Sequence, residues 1–408
     1  MQIDLSAVIR AGDGVVVGQA GAEPQTLTEA LVAQRAAYPG ARVFLGVNWS
    51  GIVRPEHADA LRLSAYCGAG ANRALADAGV LDIHPHPYSR LGALLRERRI
   101  PCDVVLVQVS PANARGEHSL GIAAEYLVPA LECCRAIVAE VNEQVPWTYG
   151  ERVLRKSDFA LRIETSRAPA APPYGPPGET ELAIAQHVAP YVPDGATLEF
   201  GLGSLPDAVL AALGGRARLR VHSGAIVDGV VEPMRRGAIL EAVGGLLLGT
   251  RKLLDFAHEN PRLQLRSSDY THAPRVLAGI ERFIAINSAV EVDLTGQVNA
   301  EVAGGSYVGA VGGALDFIRA ANASPGGASL IVLPSSAGPR ASRIVARLSG
   351  PVATPRSEAG IIVTEHGAAD LRGCTLAERA RRMLAIAHPA FRASLEREAR
   401  RGSGPFFG

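Results

Sequence analysis

The sequence predicts two open, doubly wound, mostly parallel α/β domains. Three observations carry this expectation. The chain has 408 residues, too many for one ordinary core. Strand-like and helix-like segments alternate through both halves, as parallel sheets with crossover helices require. A proline-rich interruption separates the two runs of alternation.

In the first half, Val15 to Val17 reads as a strand, followed by a Gly/Pro loop and a helix from Thr26 to Tyr38. Arg42 to Val47, Asp103 to Val109 and Ala136 to Asn142 are further strands. Their apolar residues run on mostly without alternation, which fits parallel strands covered on both faces. Arg167 to Gly178 (RAPAAPPYGPPG) holds five of the 27 prolines and no aliphatic residue larger than alanine. Such a stretch cannot build a core and reads as an extended linker; a long surface loop inside one domain is the alternative. The expected division is residues 1–166, a linker at 167–178, and residues 179–408. After the linker come helix Glu179 to Tyr191, strand Ala196 to Phe200, helix Leu205 to Leu213 and strand Leu219 to His222. Strands Phe283 to Asn287, Ser329 to Leu333 and Ile361 to Thr364 follow, then helix Leu376 to Ala387.

Composition excludes several classes of function. Net charge is +1, so no nucleic-acid footprint is expected. Arginine is abundant while lysine occurs only at Lys156 and Lys252, a coding bias that goes with the heavy Ala, Gly and Pro usage. Apolar runs such as Val104 to Val107 and Gly244 to Leu248 fall far short of the ~20 residues of a membrane span. Met1 to Arg10 lacks a basic segment followed by a long apolar core, so a cytoplasmic chain without membrane partners is expected. The five cysteines show no C-x-x-C spacing and the ten histidines no H-E-x-x-H, which argues against a disulfide framework and a metal site.

The segment TLEFGLGSLP, Thr197 to Pro206, runs from a strand through Gly201 and Gly203 into a helix that begins near Pro206. Glycines there let backbone amides approach a ligand, and a helix N-terminus favours an anion. A dinucleotide fingerprint would need a third glycine where Pro206 stands.

Read together, several segments resemble the acetyl-CoA hydrolase/transferase family, of the 4-hydroxybutyrate CoA-transferase type. Ser110 to Gly121 (SPANARGEHSLG) is similar to its SPPD-x-x-G-x-x-SLG loop, and Ala139 to Pro146 (AEVNEQVP) to its AEVN-x-x-MP. Ile286 to Gln297 (INSAVEVDLTGQ) resembles INSALEVDL-x-GQ, and Gly309 to Phe317 (GAVGGALDF) resembles GxGGQ-x-DF. Ile362 to Gly367 and Ile386 to Arg392 resemble VTE-x-G and IAHP-x-FR, so the likeness spans about residues 10 to 395 in family order.

The resemblance implies two α/β domains of the CoA-transferase type with the active site between them, and a coenzyme A thioester as substrate, with no permanently bound cofactor. Homo-oligomers are common for this fold, so a homo-oligomer is expected. In the family a glutamate attacks the thioester, giving an acyl-glutamyl anhydride and then a glutamyl-CoA thioester. Asn287 takes the position of the asparagine that, with backbone amides, stabilises the oxyanion. Gly309, Gly312 and Gly313 belong to the loop expected to pass the pantetheine arm.

The family's H-[ST]-E-M-x-x-DG, placed just after a strand, is here HSGAIVDG, His222 to Gly229. Gly224 thus stands where the resemblance places the nucleophilic glutamate, and glycine cannot form an anhydride. The usual TLQ-x-GIG reads Thr197-Leu198-Glu199 before Gly201, and GGQ becomes Gly312-Gly313-Ala314. Glu199 and Gly224 follow consecutive strands and should meet at one sheet edge, since neighbouring strands lie ~4.8 Å apart. A confined Glu199 would have a raised pKa suited to a general base; a salt bridge to Arg218 or Arg220 is the competing role. His222 and Glu365 suit structural roles, Cys133 and Cys134 the buried face of a helix, and Ser110 with His118 lacks an acid partner for a triad.

Three functions remain open at this point. The first is hydrolysis of a CoA-linked substrate, at the thioester or at a carbon–carbon bond β to it. The second is CoA transfer through a non-standard nucleophile or a ternary complex. The third is non-catalytic binding of a CoA thioester.

Overall fold

The computed structural model describes residues 3–401; Met1, Gln2 and residues 402–408, at the outer ends of the two expected domains, lie outside the described residues. Two large sheets organise the chain. The first has seven strands, in spatial order Leu161–Thr165, Ala136–Asn142, Val104–Val109, Gly14–Val17, Arg42–Leu45, Arg62–Ala65 and Leu81–Ile83. Every pairing within it is parallel. The first strand sits inside the sheet. The next three are added on one side of it, and Val104–Val109 then starts the other side.

The second sheet repeats this winding. Its nine strands run Gly367–Asp370, Ile361–Thr364, Ala328–Val332, Phe283–Ser288, Thr197–Phe200, Leu219–Val227, Ile239–Leu248, Leu263–Leu265 and Tyr149–Gly150. Only the pairing of Ile361–Thr364 with Gly367–Asp370 is antiparallel. The direction of winding reverses between Thr197–Phe200 and Phe283–Ser288, and ligands of open α/β sheets bind at such a reversal, beyond the carboxyl ends of the strands. The strand Tyr149–Gly150 comes from the first half of the chain and completes the edge of the second sheet, pairing with Gln264 and Leu265.

The strands are buried because their Val, Ile and Leu runs are covered on both faces. All six residues of Val104–Val109 and all seven of Ala136–Asn142 are buried. One continuous apolar cluster joins the halves, from Val105 and Leu127 to Leu198, Leu246 and Val363. Helix ends follow their sequence signals. Thr375 accepts from Glu378 N while Glu378 accepts from Thr375 N at 2.7 Å, a capping box for Leu376–Ile386.

The proline-rich stretch carries no helix or strand and is tied to the first half. Asn142 Nδ2 donates to Arg167 O at 2.6 Å and Gln25 Nε2 to Ala168 O at 3.1 Å. Three expected boundaries need correction. The helix at Glu179 is α-helical only to Val188, and Ala189–Tyr191 is a 3-10 turn. The helix at Thr26 is α-helical only over Gln25–Ala33, and Arg35–Ala37 tightens to a 3-10 turn. The strand beginning at Leu219 runs on to Val227, so Gly224 lies within a strand and not after one. Ile239–Leu248, ten residues long, is a strand that the Gly244-Gly245 pair disguised.

Candidate active site

Between the halves lies a cavity of about 390 Å³. It is lined from the first half by Gln19, Tyr66, Cys67, Tyr88 and Glu125, and from the second by Glu199, Gly201, Gly224, His272, Asn287 and the Gly309–Ala314 loop. The loop is drawn onto the first half by hydrogen bonds from Gly68 N to Gly309 O at 2.8 Å and from Tyr88 N to Gly312 O at 2.9 Å. A Cβ on Gly309 would run into Ala300 O, and one on Gly313 into the His272 ring, so close approach requires glycine at both. Gly203 lies beyond Gly201 in the same turn, outside the lining residues.

Glu199 and Asn287 come from the two strands that flank the reversal of the second sheet. Glu199 pairs in register with Ala285, and the Asn287 amide donates to Glu199 Oε2 at 2.7 Å. Glu199 is 2% exposed. Burial pushes its carboxyl up to about 8, against the opposing pull of Asn287 and the Ile286 backbone. The alternative ion pair is absent: Arg220 pairs with Glu241 at 3.2 Å on the outer surface.

Gly224 occupies the neighbouring strand, where Ser223 Oγ donates to Phe200 O at 3.2 Å. A Cβ at Gly224 would meet the His272 ring at 3.4 Å and Phe317 at 3.8 Å. His272 is held neutral by burial and by nearby His222, its pKa driven down to about 3. Its Nδ1 lies 2.9 Å from Thr271 Oγ1, and its ring packs between Tyr88 and Phe317.

Glu125, with its partners, escaped the sequence reading. The Tyr88 hydroxyl donates to Glu125 Oε2 at 2.6 Å, and Gln19 Nε2 donates to the same oxygen. Tyr66 OH and Val47 N donate in turn to Gln19 Oε1 at 2.9 and 2.7 Å. Burial pushes Glu125 up to about 8. The available signal was a single acid within the apolar run GIAAEYLVPAL, Gly121 to Leu131, since an acid there is costly unless it has partners or a function.

The other candidates lie away from the cavity. Glu365 accepts from Ser335 N and Oγ at 2.8 and 2.5 Å and holds that turn. His222 Nε2 is 2.9 Å from Thr271 O. His118 Nδ1 is 2.7 Å from Ser110 O. Cys133 and Cys134 are half-buried at a helix end.

Residues 249–399 match the model of the acetyl-CoA hydrolase/transferase C-terminal domain. The chain is 38% identical over 403 residues to the 4-hydroxybutyrate coenzyme A transferase of Clostridium kluyveri, covering 94% of this chain and 93% of that protein. The chain belongs to the acetyl-CoA hydrolase/transferase family. The structure of RipA from Yersinia pestis superposes with a TM-score of 0.92 at 30% identity, over 97% of this chain and 95% of that one. The 4-hydroxybutyrate CoA-transferase of Porphyromonas gingivalis gives 0.81 at 33% identity with the same two coverages. The fold is therefore that of the CoA-transferases, and the chain is an enzyme of the family's acyl-CoA transferase and hydrolase chemistry. No helix among the described residues is long and apolar enough to cross a membrane.

Proposed function

We propose that this family member hydrolyses an acyl-CoA, with water as acceptor, in the cavity between residues 1–166 and 179–408, two domains joined by the linker 167–178. The observation that carries the reading is the buried Glu199–Asn287 pair beside Gly224, a strand position with no carboxylate of its own. Glu199 takes a proton from the attacking water. The second amide hydrogen of Asn287 and nearby backbone N–H groups receive the charge that develops on the thioester oxygen. The glycines at Gly201, Gly309, Gly312 and Gly313 let the backbone approach the pantetheine arm and the acyl group, while Gly203 turns the chain beyond the cavity. Val47, Phe200, Leu246 and Phe317 line the cavity without any lysine or arginine among the described residues, which favours an uncharged acyl group. The enzyme acts in the cytoplasm as a homo-oligomer, without a resident cofactor.

Transfer of CoA to a second carboxylic acid is the other reading, favoured by the transferase activity named for the Clostridium kluyveri relative. Incubating the purified protein with a panel of acyl-CoAs, with and without acetate, separates the two. Free CoA released at the same rate in both conditions is the expected result. Release that depends on acetate, with acetyl-CoA as product, overturns hydrolysis in favour of transfer.

A further inference from the structure

Hydrolysis through Glu199 leaves the second buried carboxyl of the cavity without a task. Glu125 is 2% exposed, and its backbone is fixed from both sides. Ala124 N donates to Gly245 O at 2.9 Å, and Ser268 N donates to Glu125 O at 3.2 Å. A Cβ on Gly245 would stand 3.1 Å from Gly224 O and 3.2 Å from Glu125 Cβ. The bare backbone of Gly245 thus lies between the stem of Glu125 and the backbone at Gly224, and Glu125 and Gly224 both line the cavity. Tyr88 and Gln19 both donate to Oε2, while Oε1 has no hydrogen-bond partner among the described residues. A buried acid held by one oxygen, with the other unpaired, is costly for stability alone.

The other groups lining the cavity are poor nucleophiles. Burial pushes the Cys67 thiol up to about 11 and raises the Tyr66 and Tyr88 hydroxyls well above their ordinary value. All three stay protonated at neutral pH, and it is the thiolate that reacts. Glu199 is already assigned the proton of the water, which leaves Glu125 as the remaining carboxyl lining the cavity.

We propose that Glu125 supplies the nucleophile that Gly224 lacks, so that the covalent step is carried by the first half of the chain. The inference rests on reading the cavity as an acyl-CoA site. Oε1 attacks the thioester carbonyl carbon, the C–S bond breaks, and CoA leaves as the thiolate from an acyl–Glu125 anhydride. The thiolate then attacks Glu125 Cδ, the bond from Cδ to the bridging oxygen breaks, and the acid departs as a carboxylate. Water, giving its proton to Glu199, attacks Cδ of the resulting glutamyl-CoA thioester. CoA leaves as the thiol with that proton, and Glu125, left as the acid, loses the second water proton to solvent and is regenerated as the carboxylate. Tyr88 and Gln19 are positioning residues that aim the carboxyl by holding Oε2.

The test is borohydride trapping during turnover, followed by digestion and peptide mass spectrometry. Borohydride reduces a glutamyl-CoA thioester to the primary alcohol, and the expected alcohol is at position 125 and not at 199. Glu125→Gln should abolish trapping and lower turnover at least about 100-fold. Glu125→Asp should retain a measurable fraction of both, and denaturation curves and CoA binding should show both variants folded. Absence of the alcohol at position 125, or Glu125→Gln with wild-type turnover, overturns the assignment. Failure of every acyl-CoA to turn over, with the alcohol still formed at position 125, overturns the hydrolytic reading and leaves the nucleophile standing.

Discussion

Asn287 donates to Glu199 across two adjacent parallel strands, at the point where the second sheet reverses its winding. The pair joins the two residues that the sequence singled out for catalysis. It also fixes the orientation of Glu199, since the amide engages Oε2.

Glu199→Gln preserves shape and hydrogen bonding and removes the ionisable group. Hydrolysis is expected to fall about 10²–10⁴-fold, the usual worth of a positioned acid or base, with acyl-CoA affinity little changed. Turnover measured beside a denaturation curve checks this. A folded variant with wild-type turnover removes Glu199 from the mechanism.

Activity and stability should respond oppositely to pH. A base or nucleophile with its pKa pushed up to about 8 works only when ionised, so turnover should rise with pH and level off above about 8. Burial holds both carboxyls above the ordinary glutamate value of 4.5 in the folded state. The stability they contribute is therefore complete below about 4.5 and is lost as pH rises through about 8. The lowered pKa of His272, about 3 against 6.5, opposes this trend only below about 6.5. Between about pH 6.5 and 8 the melting temperature should fall, and Glu199→Gln should flatten the fall.

Gly224→Glu should fold, because its Cβ enters ordinary contact with His272 and Phe317 within an extended strand. The variant should form a covalent adduct with an acyl-CoA at position 224 and gain CoA-transfer activity. Intact-protein mass spectrometry after borohydride trapping reads this. A folded, CoA-binding variant without an adduct at position 224 removes that position as the seat of the family's nucleophile.

Coenzyme A thioesters should raise the melting temperature of the wild-type protein, whereas NAD and nucleic acid should not. A ligand present at ~100 times its Kd stabilises the native state by about 2.7 kcal/mol. An equal shift with NAD would return the Gly201–Gly203 turn to the dinucleotide-binding class.

Much of the second sheet was legible because its strands are short runs of β-branched and apolar residues between glycines. Ile361–Thr364 falls where it was expected, and Thr197–Phe200 and Phe283–Ser288 lie within a residue of it. Adjacency of Glu199 and Gly224 followed from consecutive strands, and both line one cavity. Arg62–Ala65 and Leu81–Ile83 escaped because exposed or half-buried positions interrupt their apolar pattern. Glu125 escaped for a different reason. Its place is set by the Ala124–Gly245 hydrogen bond between distant parts of the chain, and local periodicity carries no trace of such a partner. The raised pKa of Glu199 was legible as a direction, since a lone acid on a fully buried strand loses its hydration.

The Tyr149–Gly150 strand makes the two halves unequal in independence. The first sheet takes all its strands from residues before the proline-rich stretch, but the second borrows its last one from across it. Cutting the gene at the proline-rich stretch would leave the Gln264–Leu265 edge with bare backbone donors and acceptors, a template for intermolecular pairing and aggregation. A transplantable second half must begin before Tyr149 or carry that short strand grafted to it. During synthesis the borrowed strand leaves the ribosome first and waits for its neighbour more than a hundred residues later, so maturation of the second sheet is a closing of the whole chain.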